Sequence, residues 1–393
     1  MMGTRKGNNE GCIYKDKQGR WRGVISLPSS DGKYKRKYIY GKTRKEVSEK
    51  ISEILNQLHT NTYVEPCKIT LYSWLCTWID TYCKNEVRMS TYVNYDIYIQ
   101  KHIKDNIGGY RLCDLNTVII QQFYNEKSKN GRLDGKGGLS PKTMKNMHDM
   151  LHRALEKAVQ LDMIIKNPSE YTVLPKRKRS EMRFFTVDEQ HQLQKSIKGH
   201  RLEMAILLCL YTGVRQGELL GLTWENVHLD ANGQSYIRIV QAVNRTKNIY
   251  APENEKTGLF ISEPKTPHSI RTIPLLSDIA EKLSLYREEQ AQYFVENALP
   301  QTDFVFTTKT GKLVDPRDFQ RDFKLLLKKS NIREINVHGL RHTFATRALE
   351  SGMSPKTLSK ILGHSSVGFT LDTYAHVTDA LKVEEMAGLN GFL

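Results

Sequence analysis

The stretch His338-Gly339-Leu340-Arg341-His342-Thr343-Phe344 opens a run, His338–Leu349, that reads as a helix ended by Gly352. Ser354-Pro355 starts another helix, stopped by Gly363 directly before His364. Tyr374 follows ten residues later, inside Thr373-Tyr374-Ala375-His376. Upstream, Thr212-Gly213-Val214-Arg215-Gln216-Gly217-Glu218-Leu219 closes a buried helical run, Met204–Leu210, with a turn that presents Arg215. Arg215, His338, Arg341, His364 and Tyr374 therefore sit at helix ends and turns, where side chains can converge on one phosphate. Two guanidiniums can fork onto the non-bridging oxygens of one phosphodiester. A tyrosine hydroxyl can attack phosphorus and hold it covalently. Such a set needs no metal.

Around these segments, Thr186-x-x-Glu189 is a capping box that opens a helix. Tyr236–Val243 and the stretches around Ile261 and Ile270–Pro274 predict a small antiparallel sheet. Pro264-Lys265-Thr266 and Ser269-Ile270-Arg271-Thr272-Ile273-Pro274-Leu275 lie between the two arginine segments. Glu218 falls one turn after Arg215 and is placed to orient it or its helix. Taken singly, each group has a plainer reading. A lone arginine makes a surface salt bridge, a lone histidine is a satisfied structural group, and a hairpin lysine is simply exposed. Tyr374 is one of nineteen tyrosines, distinguished only by its register with His364.

The segments together resemble the tyrosine recombinases of the phage integrase family, over roughly residues 183–380. The resemblance implies that Arg215 and Arg341 bind the non-bridging oxygens and neutralise charge growing in the pentacoordinate transition state. It implies that Tyr374 is the nucleophile, leaving a 3′-phosphotyrosine and a free 5′-hydroxyl. Lys265, with Lys256 as the alternative, would protonate the leaving oxygen. His338 would accept the tyrosine proton or position the phosphate, and His364 would donate a hydrogen bond to a phosphate oxygen. His342 and His376 are set aside as neighbours outside the pattern. The phosphotyrosine retains the phosphodiester bond energy, so no cofactor is expected, and the chain carries no Walker-type glycine loop or dedicated carboxylate cluster.

The whole chain fits a polyanionic partner. It has 393 residues, a formal net charge of +16 and a pI near 9.4. Nucleic acid is favoured over an anionic membrane because no long apolar run could span a bilayer, and the N-terminus shows no signal-peptide core. Six scattered cysteines without a C-x-x-C pair read as reduced cytoplasmic thiols, partly core, and not as a disulfide framework or zinc site, and the resemblance implies that the cytoplasm is that of a bacterial host.

The predicted fold class is multidomain α+β. Residues 1–62 carry half of the net charge, a surplus of eight over residues 1–60. Three short strands, Cys12–Tyr14, Arg20–Leu27 and Tyr34–Tyr40, precede a helix near Arg44–Leu58 with Val47, Ile51, Ile54, Leu55 and Leu58 on one face. Arg20, Arg22, Lys35 and Lys37 are expected on the opposite face of the sheet, where a basic ribbon can enter the major groove. Residues 68–168 are expected to be helical. They include the stripe Leu71, Trp74, Leu75, Trp78, Ile79 and Tyr82, a helix capped by Ser90, one near Val118–Lys127, and one opened by Ser140-Pro141. Those aromatic stripes read as core, not as base-stacking surfaces. A linker, 169–183, contains the basic run Lys176-Arg177-Lys178-Arg179, which could follow a phosphate backbone or simply be solvated. The catalytic domain is expected over 184–380 and a mildly apolar tail over 381–393.

By resemblance to integrases of temperate phages and conjugative transposons, the first segment is an arm-type DNA-binding domain and the second a helical, SAM-like core-binding domain. The implied function is site-specific recombination that integrates and excises a mobile element. The implied partners are double-stranded DNA at core-type and arm-type sites, three further copies of the chain in a tetramer on DNA, an excisionase-like directionality factor and a host DNA-bending protein. Tail residues 381–393 would pack on a neighbouring protomer. Two alternatives share features: a type IB topoisomerase, which relaxes one duplex, and a non-catalytic architectural DNA-binding protein. The separate basic N-terminal module speaks against the first, and retention of every candidate catalytic residue against the second.

Overall fold

A computed structural model describes residues 12–28, 34–59, 68–176, 183–230, 234–246, 257–263, 270–364 and 366–374. The chain falls into two compact units, residues 1–178 and 179–393. The architecture is multidomain α+β, with a three-stranded N-terminal sheet, a helical segment and a mostly helical C-terminal unit carrying small antiparallel strands.

In the first unit, β1 (Cys12–Lys15), β2 (Trp21–Pro28) and β3 (Tyr34–Gly41) form an antiparallel sheet against α1 (Arg44–His59). Ile25, Leu27 and Ile39 meet Val47 and Ile51, which is the period-2 face of a sheet closed by the period-3.6 face of a helix. The register corrects the expected face of two lysines. Ile25 pairs with Lys37, Leu27 with Lys35 and Gly23 with Ile39. Lys35 and Lys37 therefore share the register parity of buried Ile39 and not that of Arg22. Arg36, paired with Ser26, takes the open side with Arg22, Tyr38 and Tyr40.

The helical part of the unit comprises α2 (Leu71–Trp78), α3 (Met89–Tyr98), α4 (Thr117–Asn130) and α5 (Pro141–Gln160). Helices α2 and α3 each run on into a π-helical turn. Helix α5 is amphipathic, burying Met144, Met147, Leu151, Leu155 and Ala158 at three- and four-residue steps. Trp74 and Trp78 are 3 % exposed, and Trp74 donates its indole N–H to the Ala154 carbonyl at 2.8 Å, so this aromatic stripe is core. Ser140 caps α5 as expected, with Pro141 in the first turn. Ser90 caps nothing: Tyr92 N–H already reaches the Arg88 carbonyl, so α3 begins before Ser90 and leaves it inside the first turn. Residues 167–173, from the end of the expected helical segment into the expected linker, are hydrogen-bonded to α4 and α5. Gln121 exchanges two bonds with the Val173 backbone, and Ser169 meets His152 at 3.0 Å.

The second unit begins with α6 (Val187–Ser196), opened by the reciprocal capping box of Thr186 and Glu189. Helix α7 (Glu203–Thr212) is apolar on every side, and Met204 through Leu210 are all buried. Short α8 (Gln216–Leu220) follows. Strands β4 (Val227–His228), β5 (Tyr236–Ile239), β6 (Ala242–Thr246), β7 (Gly258–Ser262) and β8 (Arg271–Pro274) complete the sheet region. The single strand expected over Tyr236–Val243 is divided. Its first half pairs with β4 and β8 and its second with β7, giving two small sheets. Helices α9 (Ser277–Glu296), α10 (Pro316–Lys329), α11 (Val337–Glu350), α12 (Pro355–Leu362) and α13 (Val367–Thr373) complete the unit. Apolar α7 packs against α11 and α9 at the centre of the main core, which includes Leu208, Leu220, Ile237 and Leu340.

Candidate active site

Helix ends bring the expected residues together. Helix α7 stops at Gly213, which adopts the left-handed conformation at φ 64°. A Cβ there would meet Phe344 Cδ1 at 2.5 Å, so only glycine fits both the backbone and the space. The turn leaves Arg215 in extended conformation just before α8. Helix α12 ends in the same way at Gly363, φ 64°, and the His364 N–H bonds back to the Ser359 carbonyl at 3.0 Å.

The carbonyls of these two chain reversals hold the arginines. Arg341, 2 % exposed, donates to Gly213 O at 2.8 Å and to Leu362 O at 2.7 Å. Arg215 donates to Gly363 O at 3.2 Å and to Glu218 Oε1 at 2.7 Å, and its side chain remains 37 % exposed. Burial pushes the Glu218 carboxyl upward, but the hydrogen bonds and charge of Arg271, then Arg215, outweigh this and hold it at about 2. Arg271 forks onto Glu218 with contacts of 2.8 and 3.2 Å and donates to Ile361 O, tying β8 to α8 and α12.

The imidazoles line the same cluster. His364 Nδ1 lies 2.7 Å from Thr370 Oγ1 on α13. His338 and His342 project from one side of α11, their rings edge to face with centroids 4.7 Å apart. All three are pushed toward the neutral form, first by burial and then by neighbouring cations. His364 falls to about 3, and His342 to about 4, where His338 is the second cause ahead of Arg341. Tyr374, 1 % exposed at the C-terminal end of α13, packs with Ala345, Leu349 and Leu362. Burial raises its hydroxyl to about 12, although Arg341 pulls the other way. Its hydrogen-bond partner is His342 Nδ1 at 2.9 Å, a residue that the sequence pattern set aside.

Arg215, His338, Arg341, His364 and Tyr374 thus share one site, drawn from α7–α8, α11, α12 and α13. Lys265 and Lys256 lie outside the described residues. So do Arg177, Lys178, Arg179, His376 and the tail, while Lys176 is exposed. Besides His342, sequence reading missed Arg271 as a partner of Glu218. Its only signal was the alternation that puts Arg271 in step with buried Ile273. It also missed a groove of about 820 Å³ between β6, α8 and α10, lined by Gly217, Asn244, Arg317, Arg321 and Lys324. Arg317, Arg321, Lys324 and Lys328 form an exposed basic stripe on α10, and Gln216, next to Arg215, anchors to Pro316 O.

On the N-terminal sheet, Arg22 lies 3.8 Å from the Tyr38 ring centroid and Arg20 5.4 Å from that of Tyr40. Tyr14, Tyr38 and Tyr40 stay exposed, giving this open face basic and aromatic groups together.

Comparison with known proteins identifies the family and the fold. The sequence profile described as "Phage integrase family" matches residues 183–380, and "Phage integrase, N-terminal SAM-like domain" matches residues 70–128. A "Tyrosine recombinase XerC-like" protein of Caldanaerobacter subterraneus subsp. tengcongensis is 29 % identical over 372 residues, 92 % of this chain and 93 % of that one. The Tn1549 transposon integrase in complex with transposon right end DNA superposes with a TM-score of 0.65 at 25 % identity, covering 82 % of this chain and 100 % of that one. A lambda integrase tetramer bound to a Holliday junction gives 0.53 at 19 % identity, covering 93 % and 97 %, and so shares the fold.

Proposed function

The chain belongs to the phage integrase family and, as a site-specific DNA recombinase of that family, cuts and rejoins DNA; we propose that Tyr374 is its nucleophile. The observation that carries this reading is the convergence of the Tyr374 hydroxyl with Arg215 and Arg341, which bond to the adjacent carbonyls of Gly363 and Leu362. A phosphodiester between the two guanidiniums would exchange hydration for charge-assisted hydrogen bonds that strengthen as the pentacoordinate phosphorus forms. His338 and His364 supply further hydrogen bonds to the phosphate, Lys265 protonates the leaving 5′-oxygen, and Glu218 with Arg271 fixes Arg215.

The duplex runs over the basic stripe of α10 beside Arg215. The open face of the N-terminal sheet, with Arg20, Arg22 and Arg36, takes a second, arm-type DNA site. Lys176 to Arg179 follow the backbone between them. Four protomers assemble on two core sites, as lambda integrase does on its junction, and a directionality factor and a host DNA-bending protein set the outcome. The DNA is that of a mobile element and its bacterial host, so the enzyme works at the nucleoid. Among the described residues no helix is long and apolar enough to cross a membrane.

Covalent trapping tests the reading. On nicked suicide DNA carrying the element's own end, the unaltered protein should form a protease-sensitive adduct that Tyr374→Phe does not. A second site then separates strand exchange from relaxation of a single duplex. Binding of verified cognate DNA without any adduct would overturn the assignment.

A further inference from the structure

Of the three histidines in the site, the one in contact with the tyrosine hydroxyl is His342, not His338. Two independent features fix it there. Residues 338 and 342 are four apart on α11, and the His338 ring stands edge-on against the His342 ring at 4.7 Å, bracing it from one side. The Tyr374 ring closes the other side at 5.9 Å and 60°. Tyr374 itself is pinned by Ala345, Leu349 and Leu362, so the 2.9 Å contact joins two side chains that have little freedom to separate.

Resting on the assignment of Tyr374 as nucleophile, we propose that His342 Nδ1 is the base that takes the phenolic proton during strand cleavage and returns it during rejoining. In the forward step the Tyr374 O–H bond breaks, the proton passes to His342 Nδ1, and the phenolic oxygen bonds to phosphorus. The P–O5′ bond breaks and O5′ leaves with a proton from the general acid, Lys265. In the reverse step the 5′-hydroxyl gives its proton back to the neutral Lys265 amine as O5′ bonds to phosphorus, the bond from phosphorus to the Tyr374 oxygen breaks, and the imidazolium reprotonates that leaving phenolic oxygen. Nδ1 is free to accept only in the tautomer with the proton on Nε2. The charged and titratable groups facing His342 are His338 and Arg341 on its own helix and Tyr374 at the end of α13. All but Tyr374 disfavour the imidazolium in the unliganded site. A phosphodiester bound at Arg341 opposes that bias, so proton transfer is coupled to DNA being in place. His338 is left to brace His342 and to meet the phosphate.

The test is single-turnover adduct formation by the full chain on two nicked substrates, one ordinary and one with sulfur replacing the bridging 5′-oxygen. Sulfur leaves without protonation, so a lesion in the general acid is rescued and a lesion in the base is not. His342→Gln keeps a hydrogen-bond acceptor near Tyr374 but cannot hold a proton, and His342→Ala removes both. We expect His342→Gln to bind DNA normally and to slow adduct formation by about 100-fold or more on both substrates. Its rate should climb with pH where that of the unaltered protein has levelled, because hydroxide then replaces the base. Lys265→Ala should recover on the sulfur substrate. Wild-type rates in His342→Gln would overturn the proposal and leave His342 as a positioning residue. Rescue of His342→Gln by sulfur would also overturn it, by moving His342 to the leaving-group side. The adduct of the unaltered protein and its loss in Tyr374→Phe report on the nucleophile separately, whatever the His342 variants do.

Discussion

Arginines serve two physical purposes in this chain, and the two places differ in how tightly each guanidinium is held. On the open face of the N-terminal sheet, Arg20 and Arg22 lie over tyrosine rings, with Asp16 the partner of Arg20. In the C-terminal unit, Arg341, Arg271 and Arg215 are bound to four backbone carbonyls and one buried carboxylate. The sheet face is a surface whose charges act one by one and through salt-screened attraction. The buried cluster is a single object, because removing one member leaves the others with uncompensated charge. Binding DNA suits the first arrangement. Holding a transition state suits the second, since its donors need no reorganisation when charge develops.

The sharpest way to break this contrast is Glu218→Ala. Glu218 is 4 % exposed and carries two arginines. Losing it should cost about 3–5 kcal/mol, the price of buried cations without a partner. Urea unfolding should show the C-terminal unit melting early while the N-terminal unit is unchanged. An unaltered transition would mean that the cluster is not the single object described.

Gly213→Ala comes next. The left-handed φ costs an alanine about 1–2 kcal/mol, and the added Cβ also meets Phe344 at 2.5 Å. The turn should shift, moving the carbonyl that holds Arg341. Adduct formation should therefore fall by more than the loss of stability explains, when measured at a temperature where the variant is fully folded. Equal losses would show that the carbonyl plays no orienting part.

Acid separates the N-terminal sheet from the buried cluster without mutation. His364 and His342 are depressed from 6.5 to about 3 and about 4, so the unfolded chain binds more protons than the fold below pH 6.5. Their contribution is complete above 6.5 and is lost as pH falls toward 4 and then 3. Glu218, depressed from 4.5 to about 2, adds a further loss below about 4.5. In the described N-terminal sheet and α1 the groups that are shifted, Asp16 and Glu46, are carboxyls, which respond only below about pH 4.5. Hydrogen exchange followed by segment should show α11 and α12 loosening between pH 6.5 and 4.5 while β2 and β3 hold. Loosening of both together would contradict the assigned directions.

How much of this was readable in advance depends on the range of the interaction. Signals confined to a few residues were legible: Ser140-Pro141, Thr186 with Glu189, Ser354-Pro355 and Gly363 each act within one helical turn. The order of Arg215, His338, Arg341, His364 and Tyr374 exposed the set, because its register is a property of the sequence itself. The Glu218–Arg271 fork spans 53 residues and the His342–Tyr374 contact spans 32, and no local pattern encodes either. His338 and His342 could be placed on one helix face by spacing alone, but not which of them meets the tyrosine. The misassigned lysines failed for another reason. Lys35 and Lys37 were assigned by alternation to the face of Arg20 and Arg22, whereas the parity on their strand is counted from the buried residue, Ile39.

That correction yields the smallest and most discriminating prediction. If the open face binds DNA, exposed Arg36→Ala should leave stability within about 0.5 kcal/mol, while Arg22→Ala, which also removes a half-buried guanidinium stacked on Tyr38, should cost about 1 kcal/mol. Each should weaken arm-site binding and lower the slope of log affinity against log salt by about one where it removes a phosphate contact. Lys35→Ala and Lys37→Ala, in step with Ile39, should leave that slope closer to its original value. Adduct formation on a core site alone should be unchanged in all four variants, because the sheet's arginines act singly and far down the chain from Tyr374. Equal slopes for the Arg and Lys variants would mean that DNA is held by net charge without regard to face, and the contrast between a diffuse basic surface and an organised one would move inside the N-terminal sheet itself.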